Sequence, residues 1–253
     1  MKQPNNWTDL GCDACLRGEG LDFHFSMAFQ PIFRLSTRSV FAYEALVRGT
    51  HNEPAENIFH SVNDDNRYRF DQSCRTKAIK LAAELKMPTF LSINFLPNAV
   101  YRPELCIRTT LTAAETYGFP IDQIIFEITE SERVDDLAHL RNIVEYYHAR
   151  GFKTAIDDFG AGFSGLNLLA ELQTDIIKLD MALIRGIDRK KPSQSIVRGI
   201  MQTARDLGSE VIAEGIETKE ELEMIRSLGI DLVQGFLLAK PAFESLPEIN
   251  YNF

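Results

Sequence analysis

The chain has 253 residues, 45% of them hydrophobic, and a formal net charge of −9. That length and apolar content suffice for one barrel-sized domain with a substantial core. The acidic balance argues against a general nucleic-acid-binding surface, yet it leaves room for a small anion held by metals or a few arginines. No run approaches the ~18 apolar residues of a membrane span and no signal-peptide pattern opens the chain, so a soluble cytoplasmic protein is the expectation.

In chain order, residues 1–24 read as an irregular leader and residues 25–253 as the folded domain. The leader holds Cys12-Asp-Ala-Cys15, a C-x-x-C that could be half a zinc site or a redox pair. No second C-x-x-C follows and the nearest histidine is His24, so a plain N-terminal arm is the simpler reading. Strands are expected at Met27 to Phe33, Val40 to Val47, Thr89 to Phe95, Gln123 to Thr129, Lys153 to Asp157, Asp175 to Leu179, Glu210 to Ala213 and Asp231 to Phe236. Several are continuous Val/Ile/Leu/Phe runs, the pattern of parallel strands buried on both faces.

Helices fall between them. Phe70, Cys74, Ala78, Leu81, Ala82 and Leu85 follow the 3.6 period, as do Leu137, Leu140, Val144 and Tyr147. Ile196, Val197, Ile200, Met201, Ala204 and Leu207 form another stripe, ending at Gly208. Thr218-x-x-Glu221 reads as a capping box, with Gly229 placed to end that helix. Roughly eight strands alternating with helices predict an α/β fold of the TIM-like barrel type, with a doubly wound sheet as the alternative.

Barrel chemistry lies at the C-terminal strand ends. Glu44 interrupts the second strand, with Arg48 four residues later. Asn94, Glu127 and Glu130, Asp157 and Asp158, Lys178, Glu214 and Glu217, and Gln234 follow at successive strand ends. Singly, each has an ordinary reading: Arg48 could neutralise Glu44, Lys178 could pair with Asp157, and Asn94 could satisfy loop backbone. Jointly these readings fail. Glu44, Glu127, Asp157, Asp158 and Glu214 outnumber Arg48 and Lys178, and burying such a cluster without counterions is very unfavourable.

Divalent cations resolve the excess. The histidines, at 24, 51, 60, 139 and 148, are not at these strand ends. Oxygen-only ligation favours Mg²⁺ or Mn²⁺ over zinc or copper. Two adjacent aspartates suit a two-metal centre, whose ions ~3.5–4 Å apart activate water and stabilise both oxygens in phosphoester displacement. Lys178 suits the orienting of a nucleophilic water, and Arg48 the clamping of a phosphate oxygen.

A rival reading exists for the same stretch. Gly160-x-Gly162-x-x-Gly165 follows a strand, and Asp180 lies 20 residues beyond Gly160, as in a dinucleotide fingerprint. Against it, Asp157 and Asp158 would repel a pyrophosphate, and the loop comes mid-chain. Asp158-Phe159-Gly160 also matches the kinase metal-binding triplet, but no kinase lysine strand or catalytic loop accompanies it.

The ordered set is more specific than any one motif. Gln30-Pro31-Ile32, Glu44-Ala45-Leu46, the Asn94 segment, Phe126-Glu127-Ile128-Thr129-Glu130, Asp157-Asp158-Phe159-Gly160, Lys178-Leu179-Asp180, Ala213-Glu214-Gly215-Ile216-Glu217 and Gln234-Gly235-Phe236 resemble, in order, the EAL-domain phosphodiesterases, which hydrolyse cyclic di-GMP. The resemblance implies a TIM-like barrel with one antiparallel strand and cleavage of one phosphodiester to give linear pGpG. It assigns Glu44, Asn94, Glu127 and Asp157 to one metal, and Asp157, Asp158 and Glu214 to the surroundings of the second. It gives the attacking water to Lys178 and Glu214, and substrate contact to Gln30 and Arg48. Asp180, Glu217 and Gln234 would support the site or the ligand, and Glu130 would brace the loop after Asp158. That loop and its neighbouring helix would form a homodimer contact. The loop departs from the family in reading Phe163-Ser164-Gly165 where Tyr-Ser-Ser is usual. A receptor that binds cyclic di-GMP without cleaving it is the alternative; the complete ligand set favours an enzyme.

Overall fold

The computed structural model describes residues 21–96, 100, 103–129, 136–162 and 165–252. Cys12, Cys15, Glu130, Phe163 and Ser164 lie outside the described residues, so the expectations placed on them, and on most of the leader, do too.

Eight strands follow one another around a ring: β1 (Ser26–Arg34), β2 (Ser39–Arg48), β3 (Phe90–Phe95), β4 (Ile124–Thr129), β5 (Lys153–Phe159), β6 (Ile176–Leu179), β7 (Glu210–Ala213) and β8 (Leu232–Val233). Each pairs with its successor, and β8 returns to β1. From β2 to β8 the pairing is parallel. Only β1 runs the other way, antiparallel to both β2 and β8. This is the TIM-like barrel with one reversed strand. A short ninth strand, β9 (Ala242–Phe243), pairs with β1 at Ala28 and Phe29.

Helices connect the parallel strands on the outside: α1 (Ala55–Phe59), α2 (Arg67–Glu84), α3 (Pro103–Cys106), α4 (Arg108–Tyr117), α5 (Leu137–His148), α6 (Gly165–Glu171), α7 (Met181–Ile184), α8 (Lys191–Leu207) and α9 (Lys219–Ser227). The capping box forms at Thr218 and Glu221. Along α8, Val197, Ile200, Met201 and Ala204 are buried. Ile196 and Leu207, counted in the same stripe, are exposed. Ile196 stands about 100° around the helix from Val197, off the buried arc. The eighth strand is shorter than expected because Gln234 to Leu237 leave the ladder. There Gln234 O accepts from Ile216 N at 3.1 Å, and Leu237 N donates to Ile216 O at 3.0 Å.

The strands split their residues by parity, since successive side chains point to opposite faces. Phe29, Leu91, Ile93, Phe126, Ile128, Ile156, Ile177, Leu179, Ala213 and Val233 pack in the large core shared with the helices. Ile32, Ala42, Ile125, Ala155, Ile176, Ile212 and Leu232, with Phe90 against them, form a separate plug inside the ring. That plug closes the barrel from one end and sets the floor for what lies above it.

Candidate active site

Alternation continues one layer up. Two residues beyond Ala42, Phe90, Ile125, Ala155, Ile176, Ile212 and Leu232 stand Glu44, Ser92, Glu127, Asp157, Lys178, Glu214 and Gln234. In the reversed β1, Gln30 comes two residues before Ile32 and lies opposite Glu44 in the register. A strand period of two therefore lifts one polar group from every strand onto the apolar floor.

Lys178 is the hub, fully buried. Its Nζ lies 2.8 Å from Glu127 Oε2, Asp157 Oδ1 and Glu214 Oε1, and 3.5 Å from Glu44 Oε2. Neutral donors hold the carboxylates from the side. Asn94 Nδ2 donates to Glu44 Oε1 at 3.0 Å, Gln234 Nε2 to Glu44 Oε2 at 2.8 Å, and Ser92 Oγ to Glu127 Oε1 at 2.5 Å. The Lys178–Asp157 contact lacks hydrogen-bond geometry, and Asp157 Oδ1 has no hydrogen-bond partner.

Asp157 and Asp158 are neighbours, so a regular strand would aim them at opposite faces. Asp158 takes φ = +54°, a left-handed conformation open to aspartate, and the β5–β6 register slips between Ile156 and Phe159. Both carboxylates then line one cleft of about 250 Å³ with Gln30, Glu44, Lys178, Asp180, Glu214, Glu217 and Gln234. Carboxylate oxygens of Glu44, Glu127 and Asp157 lie within 4.8 Å of one another, and so do those of Asp157, Asp158 and Glu214.

One ammonium cannot neutralise this set. Burial pushes Glu214 up to about 8, helped by Asp157 and Glu44 against the pull of Lys178. Burial and the charge of Asp157 raise Asp158 to about 6. Burial also lifts Glu127 well above the carboxylate range and raises Asp157, each against Lys178. Glu44 is the exception: burial raises it, but Lys178 and the hydrogen bonds from Gln234 and Asn94 outweigh that and leave it lowered. Lys178 loses hydration by burial, yet the four carboxylates hold it well above its ordinary value. These groups titrate as one coupled system with more negative sites than cations. Two hard divalent cations fit it: the donors are oxygens, they converge in two groups sharing Asp157, and Asp157 Oδ1 is an unsatisfied buried acceptor. Glu44, Asn94, Glu127 and Asp157 would hold one ion, and Asp157, Asp158 and Glu214 the other.

The remaining expected residues are distributed around the rim. Asp180 lines the cleft while its Oδ1 accepts from Ala182 N at 2.8 Å, capping α7. Glu217 lines it too, ion-paired with Arg185. Gln30 Nε2 donates to Ala239 O at 3.3 Å. Arg48, at the end of β2, does not join the carboxylate cluster; its Nη1 donates to Val47 O at 2.7 Å.

Ser92, Met181 and Arg185 have no assigned role in the sequence reading, and Gly215, Gly235 and Phe236 enter it only as members of the motifs. Ser92 carried a signal, being two residues before Asn94 on the same face. Arg185 carried none, because its partner is 32 residues away. Gly235 is needed for close approach: a Cβ there would sit 2.1 Å from Ile216 O. Its absence lets the loop after β8 press against the loop after β7, bringing Gln234 onto Glu44.

Comparison with known proteins agrees with this geometry. A family model described as the EAL domain matches residues 18–241. The blue light- and temperature-regulated antirepressor BluF of Escherichia coli K12 is 31% identical over 243 residues, covering 96% of this chain and 60% of BluF. The cyclic di-GMP phosphodiesterase PdeR of the same organism is 39% identical over 142 residues, 54% of this chain and 22% of PdeR. The chain thus spans less than two thirds of the length of these relatives. Among solved structures, a standalone versatile EAL protein from Vibrio cholerae O395 in its c-di-GMP-bound form superposes with a TM-score of 0.89 at 56% identity, covering 92% of this chain and 98% of that one. Klebsiella pneumoniae BlrP1 in a manganese and cyclic di-GMP complex superposes at 0.84 with 36% identity, covering 89% and 57%. With the family pattern matched over most of its length and the same barrel in its structural neighbours, this chain belongs to the EAL-domain family.

Proposed function

We propose that the protein hydrolyses one phosphodiester bond of cyclic di-GMP to linear pGpG, using two divalent cations, Mg²⁺ or Mn²⁺. The observation that carries this reading is the pair of carboxylate groups sharing Asp157 above a buried Lys178. Cyclic di-GMP bound in the Vibrio cholerae and Klebsiella pneumoniae structures supports the substrate, and manganese in the latter supports the cofactor class.

Bound cations supply Lewis acidity, which favours deprotonation of the attacking water and spreads charge over the phosphoryl oxygens. The chain's own groups do the rest. Lys178 Nζ, ion-paired with Glu214 Oε1 at 2.8 Å, orients the water and compensates the charge that develops. Glu214, which lines the cleft beside Asp157 and Asp158, accepts the water proton. The new O–P bond forms as the P–O3′ bond breaks, and the proton passes to the departing 3′ oxygen. Gln30 lines the cleft where the substrate binds, and Arg48 binds a phosphate oxygen on turning away from Val47 O. Asp180, Glu217 and Gln234 brace the rim.

We also propose a cytoplasmic homodimer. Among the described residues no helix is long and apolar enough to cross a membrane. The exposed Leu166 and Ile196 border an apolar hollow of about 480 Å³ beside the loop after Asp158, which supports a contact between copies there.

A second reading has one observation behind it: BluF, similar over nearly the whole chain, is named an antirepressor. In that case the protein would bind cyclic di-GMP and act through a protein partner. Incubation of purified protein with cyclic di-GMP and Mg²⁺ or Mn²⁺, followed by chromatography, separates the two. Formation of pGpG, abolished in Asp157→Asn, is the expected result. Tight binding without product in either metal would refute the enzyme.

A further inference from the structure

Behind the cleft, on α2, a buried ion pair stands outside the set of residues that line the cavity. Asp71 and Arg75 are 3% and 0% exposed. Arg75 Nη2 lies 2.6 Å from Asp71 Oδ2, one helical turn away. Arg75 Nη1 donates to the Tyr147 hydroxyl of α5 at 3.1 Å. Its guanidinium carbon lies 5.4 Å and 5.2 Å from the ring centroids of Phe95 and Phe126. Asp71 Oδ1 accepts a hydrogen bond from the backbone N–H of Leu96 at 3.0 Å.

Two of these contacts fall on the two residues that follow Asn94: the ring of Phe95 and the amide of Leu96. The position matters because β3 ends at Phe95, so the Leu96 amide is beyond the ladder. Asn94 donates from Nδ2 to Glu44, which leaves its Oδ1 as the ligand atom. A ligand at the last turn of a strand keeps its aim only if the backbone just after it is held. Stability alone does not account for the device, since a buried ion pair is often no better than apolar residues of similar volume.

We propose that Asp71 is a positioning residue: through Leu96 it fixes the end of β3 and so aims Asn94 at the ion shared with Glu44, while Arg75 neutralises the buried charge of Asp71. The proposal rests on the two-metal reading above. Groups that orient metal ligands typically change affinity 10- to 100-fold when removed.

Two double variants of the full chain isolate the tether. D71L/R75M replaces the pair by apolar side chains and removes the acceptor for Leu96. D71N/R75M also removes the charges but keeps that acceptor. Mn²⁺ affinity is measured without nucleotide by electron paramagnetic resonance, and kcat and KM with cyclic di-GMP. D71L/R75M is expected to bind Mn²⁺ about 10- to 100-fold more weakly, with kcat lowered and KM little changed. D71N/R75M is expected to match wild type within a few fold, a rescue that a merely structural role would not produce. Equal Mn²⁺ affinity in the two variants, with wild-type binding intact, overturns the proposal alone. Absence of Mn²⁺ binding by the wild type overturns the two-metal reading and the proposal with it. Where D71L/R75M does not fold, hydrogen exchange at the Leu96 amide of the native wild type decides: core-like protection supports the tether, and fast exchange overturns it.

Discussion

Lys178→Met is the perturbation whose consequence the structure states most directly. The Lys178 ammonium is fully buried and has three carboxylate oxygens at 2.8 Å and a fourth at 3.5 Å. Removing one partner from a buried ionic cluster costs about 3–5 kcal/mol, because the others stay buried without compensation. Against a total stability of about 5–15 kcal/mol that is a large fraction. At about 2–4 °C per kcal/mol for a domain of this size, the metal-free variant should melt about 6–20 °C below wild type. Protonation of the carboxylates relieves the repulsion, so the deficit should be larger at pH 8 than at pH 5. Divalent cations neutralise the same oxygens, so Mn²⁺ should raise the variant's Tm by more than it raises wild type's. Thermal unfolding followed by circular dichroism, in EDTA and in Mn²⁺, provides the comparison. A variant that melts with wild type in EDTA at pH 8, or that gains no more than wild type from Mn²⁺, refutes the idea that Lys178 is the neutralising charge of the carboxylate cluster.

Glu214 rises to about 8 and Asp158 to about 6 in the folded, metal-free protein, from ordinary values of 4.5 and 3.8. Acids with raised pKa values bind more protons folded than unfolded, so their contribution is complete below about pH 4 and lost as pH climbs to 8. Metal-free Tm should therefore fall between pH 5 and 8.5, and Mn²⁺ binding should release protons in that range; calorimetry in buffers of different ionisation enthalpy reads the release, and a Tm that rises with pH contradicts it. Gly235→Ala places a Cβ 2.1 Å from Ile216 O and 2.3 Å from Ile216 N, backbone atoms that no rotamer change can move. Overpacking of that kind costs about 1–3 kcal/mol, and by moving Gln234 off Glu44 it should lower kcat; wild-type Tm and turnover together would refute the close-approach argument. Ser92→Ala deletes the 2.5 Å donor to Glu127, which should weaken Mn²⁺ binding about tenfold and leave cyclic di-GMP binding in the absence of metal unchanged. Equilibrium titrations of both ligands test it.

Much of the site was legible one strand at a time. Glu44, Glu127, Asp157, Lys178 and Glu214 each stand two residues beyond an apolar residue that joins the interior plug, and that spacing is a local property of an extended chain. Ser92 obeys the same rule, and only that spacing marks it, since a hydroxyl in a strand is unremarkable alone. Arg48, expected to clamp a substrate phosphate, lies at the end of β2 with its guanidinium on the carbonyl of Val47. The helix stripes were also local, and erred at Leu137, Ile196 and Leu207, where the outward arc begins.

The sequence by itself determined the alternation of strands and helices, the polar group at each strand end, and an excess of acid that demands cations. These follow from backbone periodicity and from counting charges, neither of which needs the chain to be closed. Only the tertiary structure decided which groups meet. Gln234 reaches Glu44 across 190 residues, Lys178 collects carboxylates from four strand ends, and the positive φ of Asp158 turns two adjacent aspartates toward one cleft. Asp71 and Arg75 sit on a helix whose pattern announces only a core face, and their hold on Leu96 exists because the barrel lays that helix beside the end of β3. Ring closure brings remote residues within hydrogen-bonding distance, and a linear pattern carries no distance between them.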